Sequence, residues 1–353
     1  MGTSVLLAMS GGLDSSTSAY ILKQQTTNVT GITFNTLTTQ NNEIERHDIV
    51  SFIKNFCKIQ HVYVEISELF KDNVIYPFIE SYMNGITPNP CVLCNNAIKF
   101  NLLYQKSAEL QYDHIATGHY ARISHNGNRY FVRRGVDIQK DQSYFLWQLN
   151  QDVLSKTIFP LGDTTKKDNK ALAIKIGWSH IAAQKESMDV CFIPNNDYRK
   201  LLKQYKPTEL KSLDGGDFIF HGRVVGHHHG YPLYTIGQRT GLGIAIGFPV
   251  FVTHIDPHNN TVTLGVAQDL LSNQMIVNNI NMQKYEHIDD YSCTVKIRHG
   301  DIGHPATVKH IDNDTMFIKF DEPVRAVTPG QSAVFYEGDD IIGGGIISAE
   351  NTT

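Results

Sequence analysis

Hydrophobic and polar positions follow two rhythms along this chain. Up to about Gly118, short apolar runs over Val5–Met9, Val29–Phe34, His61–Ile66 and His114–Thr117 alternate with stretches of helical spacing over Ser15–Gln25, Asn42–Phe56, Ser67–Met83 and Asn95–Leu110. Apolar runs separated by amphipathic helices are the pattern of parallel βαβ units, so this part predicts an α/β domain built on a doubly wound parallel sheet. Ala121–Ser124 and Arg129–Arg133 flank His125-Asn126-Gly127-Asn128, where Asn-Gly takes positive φ at little cost, and a β-hairpin is expected. Helical spacing returns over Ser143–Asn150 and Thr164–Ile176. Beyond about Asn195 the rhythm becomes short alternating strands broken by Gly, Asp, Asn and Pro: Phe218–Phe220, Val250–His254, Thr261–Leu264, Cys293–Arg298, Ala306–Ile311, Thr315–Phe320 and Ser332–Tyr336. The expected division is an α/β domain over 1–195, a small central β-rich domain over 196–267 and a C-terminal β-barrel over 268–353.

The length of 353 residues fits two or three domains, and 41% hydrophobic with 19% charged residues excludes a disordered or fibrous chain. No apolar run approaches the roughly 18 residues of a membrane span, and strand-like Ser4–Met9 begins at once, so neither a membrane segment nor a targeting peptide is expected. Five cysteines form no disulfide framework and point to a reducing, cytoplasmic setting. Cys57 ends a helical run and Cys293 sits in an alternating strand; both read as packing residues.

The sharpest local feature is Ala8-Met9-Ser10-Gly11-Gly12-Leu13-Asp14-Ser15, between the first strand and the first helix. Paired glycines at such a turn let backbone N–H groups approach an anion, and the helix dipole adds to the attraction. Ser10 and Ser15 offer hydroxyl donors, and Asp14 can place a magnesium ion on phosphates. The bland alternative is a Gly-Gly turn with a serine cap. Without a Gly-Lys dipeptide the loop is not a Walker A motif. A second feature is Cys91-Val-Leu-Cys94, stiffened by Pro88 and Pro90 and placed just ahead of a helix, where the dipole lowers a thiol pKa. By spacing alone it is half a zinc site, a redox pair or two cysteines at a helix start. Cys191 stands apart in Asp189-Val-Cys-Phe-Ile193. His227-His228-His229 reads as a surface turn, because adjacent residues rarely converge on one ion.

Ser10-Gly-Gly-Leu-Asp-Ser15 resembles the signature of the PP-loop, or N-type ATP pyrophosphatase, superfamily (adenine nucleotide alpha hydrolase-like). With Thr87-Pro-Asn-Pro90, Cys94-Asn95, Ala116–Arg122, Lys140–Leu146, Cys191-Phe-Ile193, Tyr234–Ile244, Phe320–Val324 and Thr328–Tyr336 in order, the chain resembles the tRNA-specific 2-thiouridylase (MnmA/TrmU) family nearly end to end. That resemblance implies replacement of the C2 oxygen of the wobble uridine by sulfur, with ATP cleaved to AMP and pyrophosphate in the presence of Mg2+. By position, Ala8, Met9, Ser10, Gly11, Gly12, Leu13, Asp14, Ser15, Phe34 and Gly118 bind ATP, Cys94 is the nucleophile and Cys191 carries the persulfide, the two closing a catalytic disulfide. Asn89, Pro90 and Cys91 meet the target base, and His119, Lys140, Asp141, Gln142, Arg298, His299 and Gln331 contact tRNA. A persulfide donor or relay protein is the implied second partner.

Three departures matter. Cys91 stands where the family usually has Asp, Phe34 replaces the usual Met, and the segment Asn35–Glu45 is shorter than usual. The extra thiol opens a second version of the chemistry, in which Cys91, Cys94 and Cys191 hold an Fe-S (4Fe-4S) cluster. Rival functions are an amide-forming PP-loop synthetase and a nucleotide-sensing RNA-binding protein without turnover. Charge is split: residues 121–178 carry ten Lys/Arg against five Asp/Glu, and 268–353 carry six against thirteen. The basic stretch, with Arg122, Arg133, Arg134, Lys140 and Lys167, is expected to face tRNA phosphates.

Overall fold

The computed structural model describes residues 3–26, 28–36, 50–51, 53–184, 190–193 and 197–349. Strands β1 (Ser4–Ala8), β2 (Asn28–Asn35), β3 (Gln60–Glu65) and β4 (His114–Ala116) fall where the apolar runs predict them, and a two-residue β7 (Thr157–Ile158), too short to leave a pattern, completes the sheet. The order is β3-β2-β1-β4-β7 and every pairing is parallel. Val5, Leu7, Val29 and Ala116 pack on one side with Leu22, Ile53, Trp178 and Ile181, while Leu6, Ile32 and Ile115 pack with Phe100, Leu103, Val153 and Leu154. Both faces are covered, as a parallel sheet requires, and the sheet is doubly wound as expected. The chain leaves β1 toward β2 and later returns to its other side at β4. That reversal opens a crevice at the strand C-termini, where open α/β sheets bind ligands.

Helix α1 (Leu13–Gln25) follows β1 directly. Of the helix expected over Asn42–Phe56, residues 42–49 and 52 lie outside the described residues, as do 37–45 of the shortened segment; Ile53–Cys57 forms a wide helical turn. The helical stretch expected from Asn95 instead begins at Pro90, whose fixed φ and missing N–H suit a first helical position. Cys91 and Cys94 are therefore inside the first turns, not ahead of the helix.

The central sheet has order β10-β11-β8-β9, with β8 Gly216–Phe220, β9 Arg223–His228, β10 Phe251–Asp256 and β11 Thr261–Gly265. Its core is continuous with that of the cysteine helix: Cys94, Ile98, Phe70 and Phe78 share one buried cluster with Phe192, Leu202, Phe218 and Val252. In the C-terminal part, β12 (Leu271–Met282), β15 (Thr315–Arg325), β14 (His304–His310), β13 (Tyr291–Lys296), β16 (Ser332–Glu337) and β17 (Asp340–Ile347) pair antiparallel, and β12 also pairs with β17, closing a six-stranded barrel.

The hairpin of β5 (Ala121–His125) and β6 (Tyr130–Arg134) forms as its Asn-Gly signal predicts, but it extends the barrel's sheet through Arg133 and Asp340. There its arginines have partners within the chain. Arg133 Nε lies 2.7 Å from Asp340, Arg122 lies 3.4 Å from Asp339, and the Arg134 guanidinium covers the Tyr336 ring at 4.4 Å. The basic stretch and part of the acidic one neutralise each other across the seam. Each exposed pair is worth only about 0–1 kcal/mol, and the buried Gln283 does more to fix the joint. Its amide donates to the carbonyls of Leu146 and Trp147 at 2.9 and 3.0 Å and accepts from Val132 N–H at 3.1 Å.

Strands β9, β12 and β17 had no clear signal in the sequence. In β17 the reason is Gly343-Gly344-Gly345, a run that normally weakens a strand. Here a Cβ at Gly344 would sit 2.8 Å from the Ala333 carbonyl oxygen and 2.9 Å from the Trp147 indole, so the glycines admit Trp147 against the barrel wall. Gly344→Val is expected to destabilise the chain by about 2 kcal/mol or more through overpacking, seen as a lower thermal midpoint together with altered Trp147 fluorescence. An unchanged midpoint would show that the wall yields freely.

Candidate active site

At the C-terminal end of β1, Gly11 adopts φ +77° and α1 starts at Leu13. The Ser15 hydroxyl donates to the Gly12 carbonyl at 3.2 Å and accepts from Ser10 N–H at 3.3 Å, which holds the loop closed on itself. Gly118, after β4, closes the other side of the switch point. A Cβ there would lie 3.0 Å from the Asp14 carbonyl carbon and 3.1 Å from Ser15 N. Ser10, Gly12 and Asp14 line a cleft of about 330 Å³ with Tyr120, Lys140, Gln142, Lys166 and Lys170. Three lysines and a helix N-terminus suit it to a polyphosphate. Met9 and Leu13 are buried beneath the loop, and Ala8 and Phe34 sit partly buried at the ends of β1 and β2.

Asp14 is held on both oxygens by Lys166 Nζ at 2.8 Å and accepts from the Tyr120 hydroxyl at 2.9 Å. Asn169 donates to that hydroxyl at 3.0 Å. Burial, and then the Asp14 charge, push the Tyr120 phenol far above its ordinary range, so it stays a donor. Tyr120, Lys166 and Lys170 are absent from the sequence-based site. The signal for Lys166 was the Thr165-x-x-Asp168 capping box that starts its helix Lys166–Lys175 and aims the first turn at the loop.

The second half of the site is the cysteine helix. Cys94 is buried, Cys91 half-buried and Cys191 exposed, and all three are free thiols. Phe192 packs edge-on against Phe70 and Phe78, with centroids 5.8 and 5.3 Å apart, anchoring the neighbouring Cys191 beside the helix. Residues 187–189 and 194 of that segment lie outside the described residues. Burial pushes the Cys94 thiol up to about 11; the Lys99 ammonium opposes this, and Cys191 and Cys91 add to it. Desolvation by the surrounding protein also raises Cys91 and, although that residue is itself solvent-exposed, Cys191, with Lys99 again opposing. The lowered thiol expected from the helix dipole is thus corrected: desolvation of the thiolate outweighs the dipole. Lys99, five residues past Cys94, was missed for lack of any motif. Among the described residues no three His, Cys, Asp or Glu are placed to hold a metal ion. The cysteines as they stand do not make a cluster site. In the histidine run, His227 pairs with Asp217 and His229 with Asp214, while His228 is buried.

The residues expected at the tRNA lie in several places. His119 is buried, its Nδ1 2.8 Å from Thr117 Oγ1 and its ring against Phe100 and Phe159; burial holds its pKa well below the ordinary range, so it is neutral. Asp141 accepts from Gly135 and Ser143 N–H at 3.1 Å and braces a turn, and Gln142 accepts from Tyr120 N–H at 3.1 Å. Arg298 and His299 are exposed after β13, with His299 stacked on Phe145 at 4.4 Å. Gln331 donates to the carbonyls of Thr87 and Pro88 at 3.0 and 3.2 Å, tying the barrel to the residues just before Asn89 and Pro90.

A relative named tRNA-specific 2-thiouridylase MnmA, from Amoebophilus asiaticus, is 43% identical over 98% of this chain and 95% of its own length. The chain belongs to the tRNA-specific 2-thiouridylase family. The member of that name from Cytophaga hutchinsonii is 44% identical, covering 98% of this chain and 97% of its own. Three domain families match in order: the tRNA methyl transferase HUP domain over residues 3–195, the tRNA methyl transferase PRC-barrel domain over 201–266 and the aminomethyltransferase beta-barrel domain over 272–347. Among solved structures, an NH3-dependent NAD synthetase from Campylobacter jejuni is 19% identical, covering 61% of this chain and 80% of that one, at a TM-score of 0.32. No described helix is long and apolar enough to cross a membrane.

With its thiol raised to about 11, Cys94 is expected to react with iodoacetamide about tenfold faster per pH unit from 7 to beyond 9, read by peptide mapping in a Cys91→Ser chain. Lys99→Met should shift the profile further up. A plateau near pH 8.5 would mean that Cys94 is not desolvated.

Proposed function

We propose that the chain is an ATP-dependent sulfurtransferase that converts the wobble uridine of tRNA to 2-thiouridine. The observation that carries this is the meeting, in one fold, of a phosphate cradle at the switch point with two thiols nearly a hundred residues apart, Cys94 and Cys191. An amide-forming synthetase has no use for that pair.

In this reading ATP lies with its phosphates over Ser10–Ser15, met by backbone N–H groups, Lys140, Lys166 and Lys170. Asp14 is the carboxylate that would hold Mg2+, which offsets phosphate charge when bound. The uridine O2 attacks the α-phosphorus and pyrophosphate leaves, giving an O-adenylate at C2. A donor or relay protein loads the exposed Cys191 as a persulfide. Its terminal sulfur attacks C2 and expels AMP. Cys94 then attacks the Cys191 sulfur, leaving 2-thiouridine on the RNA and a Cys94–Cys191 disulfide that an external dithiol reduces. The alternative order, with Cys94 releasing hydrosulfide onto C2, ends in the same disulfide. Lys99 supplies the positive charge that favours thiolate in a desolvated setting. Asn89, Pro90 and Cys91 would border the target base, with residues 1–195 as the catalytic domain and 196–267 and 268–353 framing the RNA in the cytoplasm.

Two variants test the halves separately. Asp14→Ala should abolish tRNA-dependent pyrophosphate release, whereas Cys191→Ser should keep it and lose 2-thiouridine, measured by nucleoside analysis of the product RNA. Thiolation by Cys191→Ser at the wild-type rate would sink the persulfide route. Pyrophosphate release independent of tRNA would favour a different acceptor.

A further inference from the structure

Cys91 is the thiol to which the chemistry above gives no bond to make or break, and it stands where the family usually has Asp. Pro90 opens the cysteine helix, so Cys91 and Cys94 occupy positions i and i+3 of one helical segment, Pro90–Cys94. Residues so spaced share a face, with Cα atoms about 5 Å apart. That separation lies inside the range of roughly 4.4–6.8 Å that a disulfide spans. Both thiols are also within electrostatic reach of Cys191, whose charge acts on each of them, and the Lys99 ammonium acts on all three. A bondable pair within the helix is thus grouped with a third thiol on a separate segment, pinned there by Phe192.

Exposure differs among the three: Cys94 is buried, Cys91 half-buried and Cys191 exposed. In a Cys94–Cys191 disulfide the Cys94 sulfur is therefore shielded from an external reductant, and the Cys191 sulfur in the reading above lies against the newly thiolated RNA. Cys91 is already one helical turn from Cys94 and has no encounter to wait for. A thiolate leaves more readily where water solvates it, which makes exposed Cys191 the leaving group of an attack on Cys94.

We propose that Cys91 is the resolving cysteine of the cycle, attacking the Cys94 sulfur of the Cys94–Cys191 disulfide and moving the bond into the helix. The step rests on the persulfide reading above and extends it. The Cys91–Cys94 bond forms as the Cys94–Cys191 bond breaks, the electron pair leaves on Cys191, and the proton given up by Cys91 is balanced by one taken from solvent at Cys191. No oxidant or reductant is consumed. Cys191 is free to receive the next persulfide while an external dithiol reduces the helical pair at Cys91, the more accessible of its two sulfurs. A carboxylate at position 91 cannot do this, so the route belongs to this chain's own departure from the family pattern.

The test is disulfide mapping on the full chain, oxidised anaerobically with one equivalent of diamide, quenched in acid, alkylated and digested. Wild type is expected to end with Cys91 and Cys94 joined within one peptide and Cys191 alkylated, whereas Cys91→Ser should end with Cys94 joined to Cys191. Cys191→Ser should still close the helical pair. In turnover, Cys91→Ser should need about tenfold more dithiothreitol to reach half its own maximal rate, because an external thiol must then do what an adjacent one did. The proposal fails if wild type keeps Cys94 joined to Cys191 with Cys91 alkylated, if the helical pair stays open in Cys191→Ser, or if the dithiothreitol requirement of Cys91→Ser is that of wild type. A Cys91→Ser chain that forms no Cys94–Cys191 bond would overturn the persulfide reading instead.

Discussion

The packing of Phe192 between Phe70 and Phe78 is the contact on which the two-cysteine arrangement depends. Cys191 is exposed and lies on a short segment with no regular structure of its own. A large aromatic side chain buried next to it contributes about 2–3 kcal/mol of transfer free energy, enough to hold one thiol beside another that is far away in sequence. The same apolar cluster contains Cys94 and the centre of the β8–β11 sheet, so the cysteine helix, the Cys191 segment and the central domain share one packed core. Burial has a chemical consequence as well. Desolvation raises all three thiols, and the opposing charge is that of Lys99.

The nucleotide half is held differently. Its loop is fixed by hydrogen bonds within Ser10–Ser16 and by close approach of Gly118, and its charge is balanced by the Asp14–Lys166 pair. Lys166 is well placed to choose between a carboxylate and a phosphate. Tyr120 ties this half to its surroundings, donating through its hydroxyl to Asp14 and bonding through its backbone to Gln142. Its neighbour His119 packs on Phe100, midway along the helical stretch that starts at Pro90. The two halves are therefore linked through a strand end and a few buried rings.

Charge also acts between domains. Part of the excess of positive charge in residues 121–178 meets the acidic turn between β16 and β17, where Arg122 and Arg133 face Asp339 and Asp340. Part of that positive charge is thus the complement of the barrel.

Local order was legible in the sequence by itself. The strands β1 to β4 follow from apolar runs, the hairpin from Asn126-Gly127, the phosphate loop from its glycines between a strand and a helix, and the family from ordered motifs spread over the whole chain. These features depend on neighbours within a few residues, so the backbone preferences of those residues decide them. What the tertiary structure alone decided depends on distant partners. The glycines of β17 read as a broken strand until Trp147 is packed against them. The Cys94 thiol looks activated by a helix start until the core around it is assembled and desolvation raises it. Lys166 looks like one of several surface lysines until the sheet order brings it to Asp14. Burial and electrostatics are sums over everything nearby in space, and a sequence lists only what is nearby along the chain.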